Sequence, residues 1–223
     1  VRSSFLSAGQ RCSALRAVYV QEEVADEYWD YLSEAMNELA IGDPNLPETD
    51  IGPIINETSL KKLLDHKARM EKENKVMVEV ANKIPDQGYF FNPTAIQIDA
   101  INEIDGEKFG PILHFIRYSA SELDRVLDEV NDTGYGLTMG AHTRILEKAR
   151  KIFEKGNVGN FYLNRDIVGA VVGVQPFGGQ GLSGTGPKAG GPDYLKSFVN
   201  EKTFTDNVMA TGGNIDLLNK NNE

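Results

Sequence analysis

The sequence predicts an α/β fold: a mostly parallel, twisted sheet flanked by helices. Two observations carry this. Short apolar runs alternate along the chain with stretches whose apolar residues recur every three or four positions. The intervening helical stretches run to ten residues or more, the length a crossover between parallel strands needs.

The elements follow in order. Residues 15–20 read as a short buried strand. Residues 24–40 read as a helix, because Val24, Tyr28, Tyr31, Leu32, Ala35, Met36 and Leu39 share one face. Gly42-Asp43-Pro44 ends it, and a Pro-rich loop covers 43–55. Residues 58–74 form a polar amphipathic helix packed through Leu60, Leu63, Leu64 and His66. Strands are predicted over 75–80, 94–98 and 111–118. Ser121, with Asp124 three residues on, is the expected N-cap of a helix ending at Asn131. A strand over 137–142, a helix over 145–155 and a strand over 158–163 complete the alternation. Residues 169–192 are dense in glycine and include Pro176, Pro187 and Pro192, so they form an irregular loop. Long irregular loops in compact domains are usually functional. A last strand is expected over 196–205, followed by a polar tail.

Composition narrows the function. Hydrophobic residues make up 40% and charged residues 25% of 223 positions, ordinary for a water-soluble globular chain. No apolar run approaches the roughly 20 residues that span a bilayer, so no membrane insertion is expected. No basic stretch followed by an apolar core marks a secretory signal. The single cysteine forms no disulfide within the chain, which fits a reducing, cytoplasmic setting. The net charge of −10, with acids spread along the chain, argues against a nucleic-acid partner. The chain opens on Val1 with a motif directly behind it, and is expected to be a piece of a longer protein.

The chemistry-bearing residues begin with Cys12. A lone cysteine is most often a buried structural one. Here Gly9 permits a tight backbone, Arg11 adds positive charge and Ser13 adds a hydroxyl. A nearby cation favours the thiolate, and a thiolate attacks carbonyl carbon. A cysteine hydrolase would also need a histidine. His66, His114 and His142 all sit in patterns that make them structural. Glu107, at the entrance to a strand, has the chemistry to accept ribose hydroxyls, and Phe109 offers a wall for a flat ring. The alternative is a solvated turn. Gly179-Gln180-Gly181-Leu182-Ser183-Gly184 matches G-x-G-x-x-G, but no strand precedes it and no helix follows. It is therefore rejected as a dinucleotide fingerprint. No metal site is expected.

Five segments in register resemble the aldehyde dehydrogenase superfamily: Gly9-Gln10-Arg11-Cys12, Asp50-Ile51-Gly52-Pro53, Glu107-Lys108-Phe109-Gly110-Pro111, Tyr135-Gly136-Leu137 and Pro176-Phe177-Gly178-Gly179. The resemblance covers residues 1–205. Within it, Arg11-Cys12-Ser13-Ala14 and the run from Gly169 to Gly179 are most similar to 1-pyrroline-5-carboxylate (glutamate semialdehyde) dehydrogenases. The run from Gly181 to Pro192 and the tail Ala210-Thr211-Gly212-Gly213-Asn214 look like the bifunctional bacterial proline utilisation A group.

That resemblance implies a set of roles. Cys12 is the nucleophile. Arg11 and Ser13 contact the substrate carboxylate, Gly169 and Ala170 anchor the substrate's far end through backbone N–H groups, and Phe177 packs on its aliphatic stem. Glu107 and Phe109 contact the cofactor, NAD. The family's general-base glutamate, its oxyanion asparagine and its nucleotide-binding domain are expected upstream of Cys12, so the chain alone is expected to be inactive. Residues 1–195 would be catalytic-domain sequence, 196–205 a strand that pairs between subunits of a homo-oligomer, and 206–223 a tail. The implied reaction is NAD-dependent oxidation of L-glutamate 5-semialdehyde to glutamate. FAD is implied only for a proline dehydrogenase part outside this chain, and the parent is expected in the cytoplasm, peripheral at the inner membrane. Two readings compete: another aldehyde dehydrogenase, such as one for succinate semialdehyde, and a non-enzymatic binding module.

Overall fold

The computed structural model describes residues 1–82, 84–171 and 173–207. The chain starts with the one-turn helix α1 (Arg2–Phe5) and a 3-10 turn, Leu6–Gly9. Strand β1 (Ala17–Gln21) leads directly into helix α2 (Glu22–Asn37). The helix begins two residues before the sequence pattern placed it. Glu22 and Glu23 occupy its first turn, where carboxylates complement the helix dipole. It also ends sooner, because Ala40 and Ile41 are drawn into bridging Ile51: the Ala40 carbonyl accepts from the N–H groups of Asp50 and Ile51.

Helix α3 (Glu57–Lys72) is capped by Asn56, whose Oδ1 accepts from the Ser59 N–H at 2.8 Å. Strands β2 (Met77–Glu79), β3 (Thr94–Ile98) and β4 (Ile112–Tyr118) follow. With β1 they make one sheet in the order β1-β4-β3-β2. Strands β1, β4 and β3 are parallel, and β2 is an antiparallel edge. The fold is the α/β class expected, with a mixed sheet whose parallel strands are flanked by helices.

Central strand β4 is buried from Ile112 to Ile116. Consecutive strand residues point to opposite faces. Phe115 meets the edge of Trp29 from α2 at 5.2 Å, while His114 meets His66 from α3. The two helices therefore cover opposite faces of this strand. The main core includes Phe5, Met36, Ile51, Leu63, Met70, Ile96 and Ile112, all nearly or fully inaccessible to solvent.

Helix α4 (Leu123–Asp132) corrects the expected cap. Ser121 lies inside a 3-10 turn, Ala120–Glu122, and Ser119 is the residue in front of it. Glu122 reaches back to this residue, with the Ser119 N–H donating to Glu122 Oε2 at 3.1 Å and the Glu122 N–H donating to the Ser119 carbonyl at 2.8 Å. Ser-x-x-Glu at 119–122 wins over Ser-x-x-Asp at 121–124 because the longer glutamate reaches back to the cap.

Strands β5 (Tyr135–Gly136) and β6 (Thr138–Ala141), helix α5 (Leu146–Lys155) and strand β7 (Asn160–Leu163) complete the regular part. Strands β6 and β7 pair in parallel, and β5 pairs antiparallel with β8 (Gln180–Gly181) in the glycine-rich loop. The expected strand over 196–205 is absent. Tyr194–Phe198 is a 3-10 turn, and residues 199–207 join no ladder. A strand exists by pairing, and no edge among the described residues meets this segment. The tail motif Ala210-Thr211-Gly212-Gly213-Asn214 lies outside the described residues.

Candidate active site

The loop that carries Cys12 is built from unusual backbone. Ser7, Ala8 and Gly9 have φ of 56°, 52° and 62°, three successive left-handed residues. Such conformations cost of order 1–3 kcal/mol each and persist where the surroundings over-determine them. Packing does so here. A Cβ on Gly9 would lie 2.1 Å from the Gly110 carbonyl oxygen, so the backbones of the two loops are in direct contact. Gln10 ties the loop down further. Its Nε2 donates to the Pro53 carbonyl at 3.0 Å, and its Oε1 accepts from the Ile55 N–H at 2.9 Å.

Cys12 emerges from this loop exposed. Ser13 behind it is buried, and its Oγ accepts from the Gly169 N–H at 3.1 Å. The Gly169 carbonyl in turn accepts from the Tyr162 hydroxyl at 2.9 Å. Gly169 is thus gripped on both sides of its residue, at φ 72°. Its N–H, expected to anchor the substrate, is instead taken by Ser13, because the buried hydroxyl oxygen lies within hydrogen-bond reach of it. Phe177 is fixed by a bridge to Ala189, with N–H to carbonyl bonds in both directions at 2.9 and 3.0 Å. The outcome is a single cavity of about 630 Å³ lined by Arg11, Cys12, Ser13, Gly169, Ala170 and Phe177, together with Gln10 and Gln175. All six substrate-side residues expected from the sequence meet there. Arg11 is at the rim, exposed, its Nε donating to Ser7 Oγ at 2.8 Å.

Glu107 and Phe109 line a neighbouring cavity of about 730 Å³ with Lys62, Arg69 and Lys108. Gln10 borders both cavities. Phe109 is 43% exposed, so one face of its ring is open. A partly exposed carboxylate, an open aromatic face and nearby cations suit ribose, a flat ring and phosphate respectively, so these residues fit a nicotinamide nucleotide.

The guanidinium between the two cavities belongs to Arg16, which the sequence placed inside a strand and gave no role. Its Nη1 donates to the Gly9 carbonyl, and its Nη2 donates to the Arg11 carbonyl at 3.0 Å. It lies over the Phe109 ring, 4.4 Å from the centroid, and its Nε is 3.5 Å from Glu107 Oε1. The signal that exposes it is a charge opening an otherwise apolar strand.

Two of the three histidines form a buried pair, as their structural reading required. His114 Nδ1 is 2.9 Å from the Arg16 carbonyl, and His66 Nε2 is 2.9 Å from His114 Nε2. A carbonyl only accepts, so His114 carries its proton on Nδ1, and His66 donates through Nε2. Burial lowers both pKa values, with neighbouring positive charge adding to it at each: His66 to about 3 and His114 to about 4. Both rings are buried and committed to each other and to the Arg16 carbonyl, so neither is free to serve Cys12 as a base. His142 is exposed. The glycine run 179–184 belongs to the β8 turn, with no helix after it, in keeping with its rejection as a nucleotide fingerprint.

The chain is similar in sequence and structure to known proteins. The model of the Aldehyde dehydrogenase family matches residues 1–204. The "Bifunctional protein PutA" of Klebsiella aerogenes is 46% identical over 90% of this chain and 16% of its own length. The 1-pyrroline-5-carboxylate dehydrogenase of a Geobacillus species (strain WCH70) is 36% identical over 92% of this chain and 40% of its own length. A crystal structure of a Bradyrhizobium japonicum Proline Utilization A (PutA) mutant superposes with a TM-score of 0.89 at 48% identity, covering 95% of this chain and 22% of that one. The chain thus spans well under half of each of these relatives.

Proposed function

Because the chain belongs to the aldehyde dehydrogenase family, we propose that its full-length protein oxidises L-glutamate 5-semialdehyde to glutamate with NAD, through a covalent intermediate on Cys12. The observation that supports this most is the convergence of Arg11, Cys12, Ser13, Gly169, Ala170 and Phe177 on one cavity beside Glu107 and Phe109.

The chemistry follows from those positions. The substrate carries a carboxylate at one end and an aldehyde at the other. Arg11, the Ser13 hydroxyl proton and the Ala170 N–H supply donors for the charged end, while the Gly169 N–H, bound to Ser13 Oγ, fixes the loop that presents them. Phe177 covers the methylene stem. Binding both ends leaves the aldehyde carbon beside Sγ of Cys12, converting an encounter into a positioned reaction. The thiolate adds to the carbonyl carbon, and the oxygen takes the negative charge. The Cys12 N–H, which has no hydrogen-bond partner among the described residues, is available as a donor to it. NAD, when bound, would supply the hydride acceptor that lets the carbonyl re-form as a Cys12 thioester. Water then adds to the Cys12 thioester, releasing glutamate and restoring the thiolate. Glu107 would hold the ribose hydroxyls of NAD, and Phe109 would wall its flat ring.

Subunit pairing through residues 196–205 belongs to the same reading. Leu195, Phe198, Val199 and Phe204 are 69–87% exposed, with Phe204 the most open. Such a segment gains a ladder and apolar cover by meeting another chain.

The test uses the full-length protein. Cys12→Ala should lower turnover by about four orders of magnitude or more, as removal of a covalent nucleophile does. Turnover within about tenfold of wild type would overturn the covalent mechanism. A panel of aldehydes should favour glutamate semialdehyde over succinate semialdehyde, and the reverse order would reassign the substrate.

A further inference from the structure

We propose that Arg16 is a positioning residue that aims the Cys12 N–H and links it mechanically to Glu107, so that occupancy of the cofactor side sets the geometry at the thiol. The inference rests on the functional reading above.

One guanidinium makes four contacts with two loops. On the thiol side it holds the carbonyls of Gly9 and Arg11; on the other it lies on Phe109 and faces Glu107. Its side chain is only 15% exposed, unlike Arg117 and Arg125, whose ion pairs lie on the surface.

The Arg11 carbonyl matters because it shares a peptide plane with the Cys12 N–H. Every described peptide bond is trans, and in a trans peptide the two groups point in opposite directions. Fixing the carbonyl on Arg16 Nη2 therefore fixes where the Cys12 N–H points. The Ala14 N–H, bound to the same carbonyl at 3.1 Å, reinforces the orientation. An oxyanion donor works only when aimed at the developing charge.

The Glu107 side of the link is unfinished. Arg16 Nε is buried and lacks a hydrogen-bond partner, since its 3.5 Å approach to Glu107 exceeds hydrogen-bond length. A residue serving only as a staple would be fully bonded at both ends. Here a small shift of Glu107 makes or releases a charge-assisted bond. Ribose hydroxyls that draw on the same carboxylate set that shift. Arg16 passes it to the two carbonyls that flank the thiol. Behind it, His114 holds the Arg16 backbone carbonyl, giving the side chain a fixed root.

The test is Arg16→Lys in the full-length protein. Lysine keeps the charge but cannot fork between two carbonyls while stacking on a ring. We expect kcat to fall about tenfold or more and KM for NAD to rise, with KM for the aldehyde within about twofold. A general packing defect would not select the cofactor. Saturating NAD should change the rate of Cys12 alkylation by iodoacetamide in the wild type, and Arg16→Lys should remove most of that change. A variant with wild-type kcat, KM and NAD response overturns the proposal. If Arg16→Lys does not fold, Glu107→Gln serves: it removes the ion pair, and at saturating NAD it should also blunt the alkylation response. A full response in Glu107→Gln overturns the link. If the wild-type protein oxidises no aldehyde, the functional reading falls. If it does and Arg16→Lys matches it, only the coupling falls.

Discussion

A methyl group on Gly9 would come within 2.1 Å of the Gly110 carbonyl oxygen, 2.5 Å of its carbon and 2.9 Å of the Ser4 carbonyl oxygen. All three are backbone atoms, which cannot rotate away. The φ of 62° adds about 1–2 kcal/mol for any L-residue. Gly9→Ala should therefore destabilise the protein by about 3 kcal/mol or more, read as a lowered urea midpoint. Gly106→Ala is the control. It has a similar φ of 77° but open space around its missing Cβ, so it should cost only about 1–2 kcal/mol. Equal effects would show that the contact with Gly110 does not matter. At this scale the sequence was legible where chemistry is local. Cys12 with Gly9, Arg11 and Ser13 stands out because the residue types themselves are unusual together. Arg16 does not stand out, since its importance lies in meeting Phe109 and Glu107, more than 90 positions away. Sequence proximity points to Arg11 as the positive charge near the thiol, yet it is Arg16 that is buried beneath the loop.

Between elements, the join of α3 to β4 rests on the His66–His114 bond inside the core. Lys108, Arg69 and Arg16 supply positive charge around the pair, and no carboxylate contributes to holding it protonated. In the unfolded chain both rings take up protons near pH 6.5, while in the folded chain they resist until about 3 and 4. The unfolded state thus binds more protons below 6.5. Stability is full above that pH and falls as acid is added. His66→Gln keeps a donor toward His114 but cannot titrate. The slope of stability against pH between about 4.5 and 6 should then drop by one proton's worth, ~1.4 kcal/mol per pH unit. An unchanged slope would remove His66 from the account. Element types along most of the chain were readable because β1, α2, α3, β4 and α5 have apolar periods set by one buried face. The misplaced cap at Ser121 and the missing strand at 196–205 share a cause. Each depends on competition or partnership that apolar spacing does not record: a better capping glutamate two residues earlier, and an edge to pair with.

Across the whole molecule, the site is an assembly of distant pieces. The thiol loop near residue 12, the Glu107–Phe109 loop and the 169–190 loop meet because the parallel sheet and the β5–β8 pair bring them together. Among the described residues, the thiol cavity is lined by one cation, one thiol, one hydroxyl, amides and apolar groups, with no carboxylate or imidazole. Water adding to a thioester needs a general base within hydrogen-bond reach, directly or through one water. The buried histidines are neutral but spent on each other, and Glu107 is turned toward Arg16 in the adjoining cavity. The chain also corresponds to 40% of the length of its Geobacillus relative. From these facts we expect residues 1–223, purified alone and shown to be folded by circular dichroism, to yield no NADH from glutamate semialdehyde and NAD. Cys12 should still alkylate, at a rate close to that of a cysteine peptide, since exposure alone suffices for that reaction. Steady NADH production by this chain would mean that a base for the thioester's hydrolysis is present within these residues.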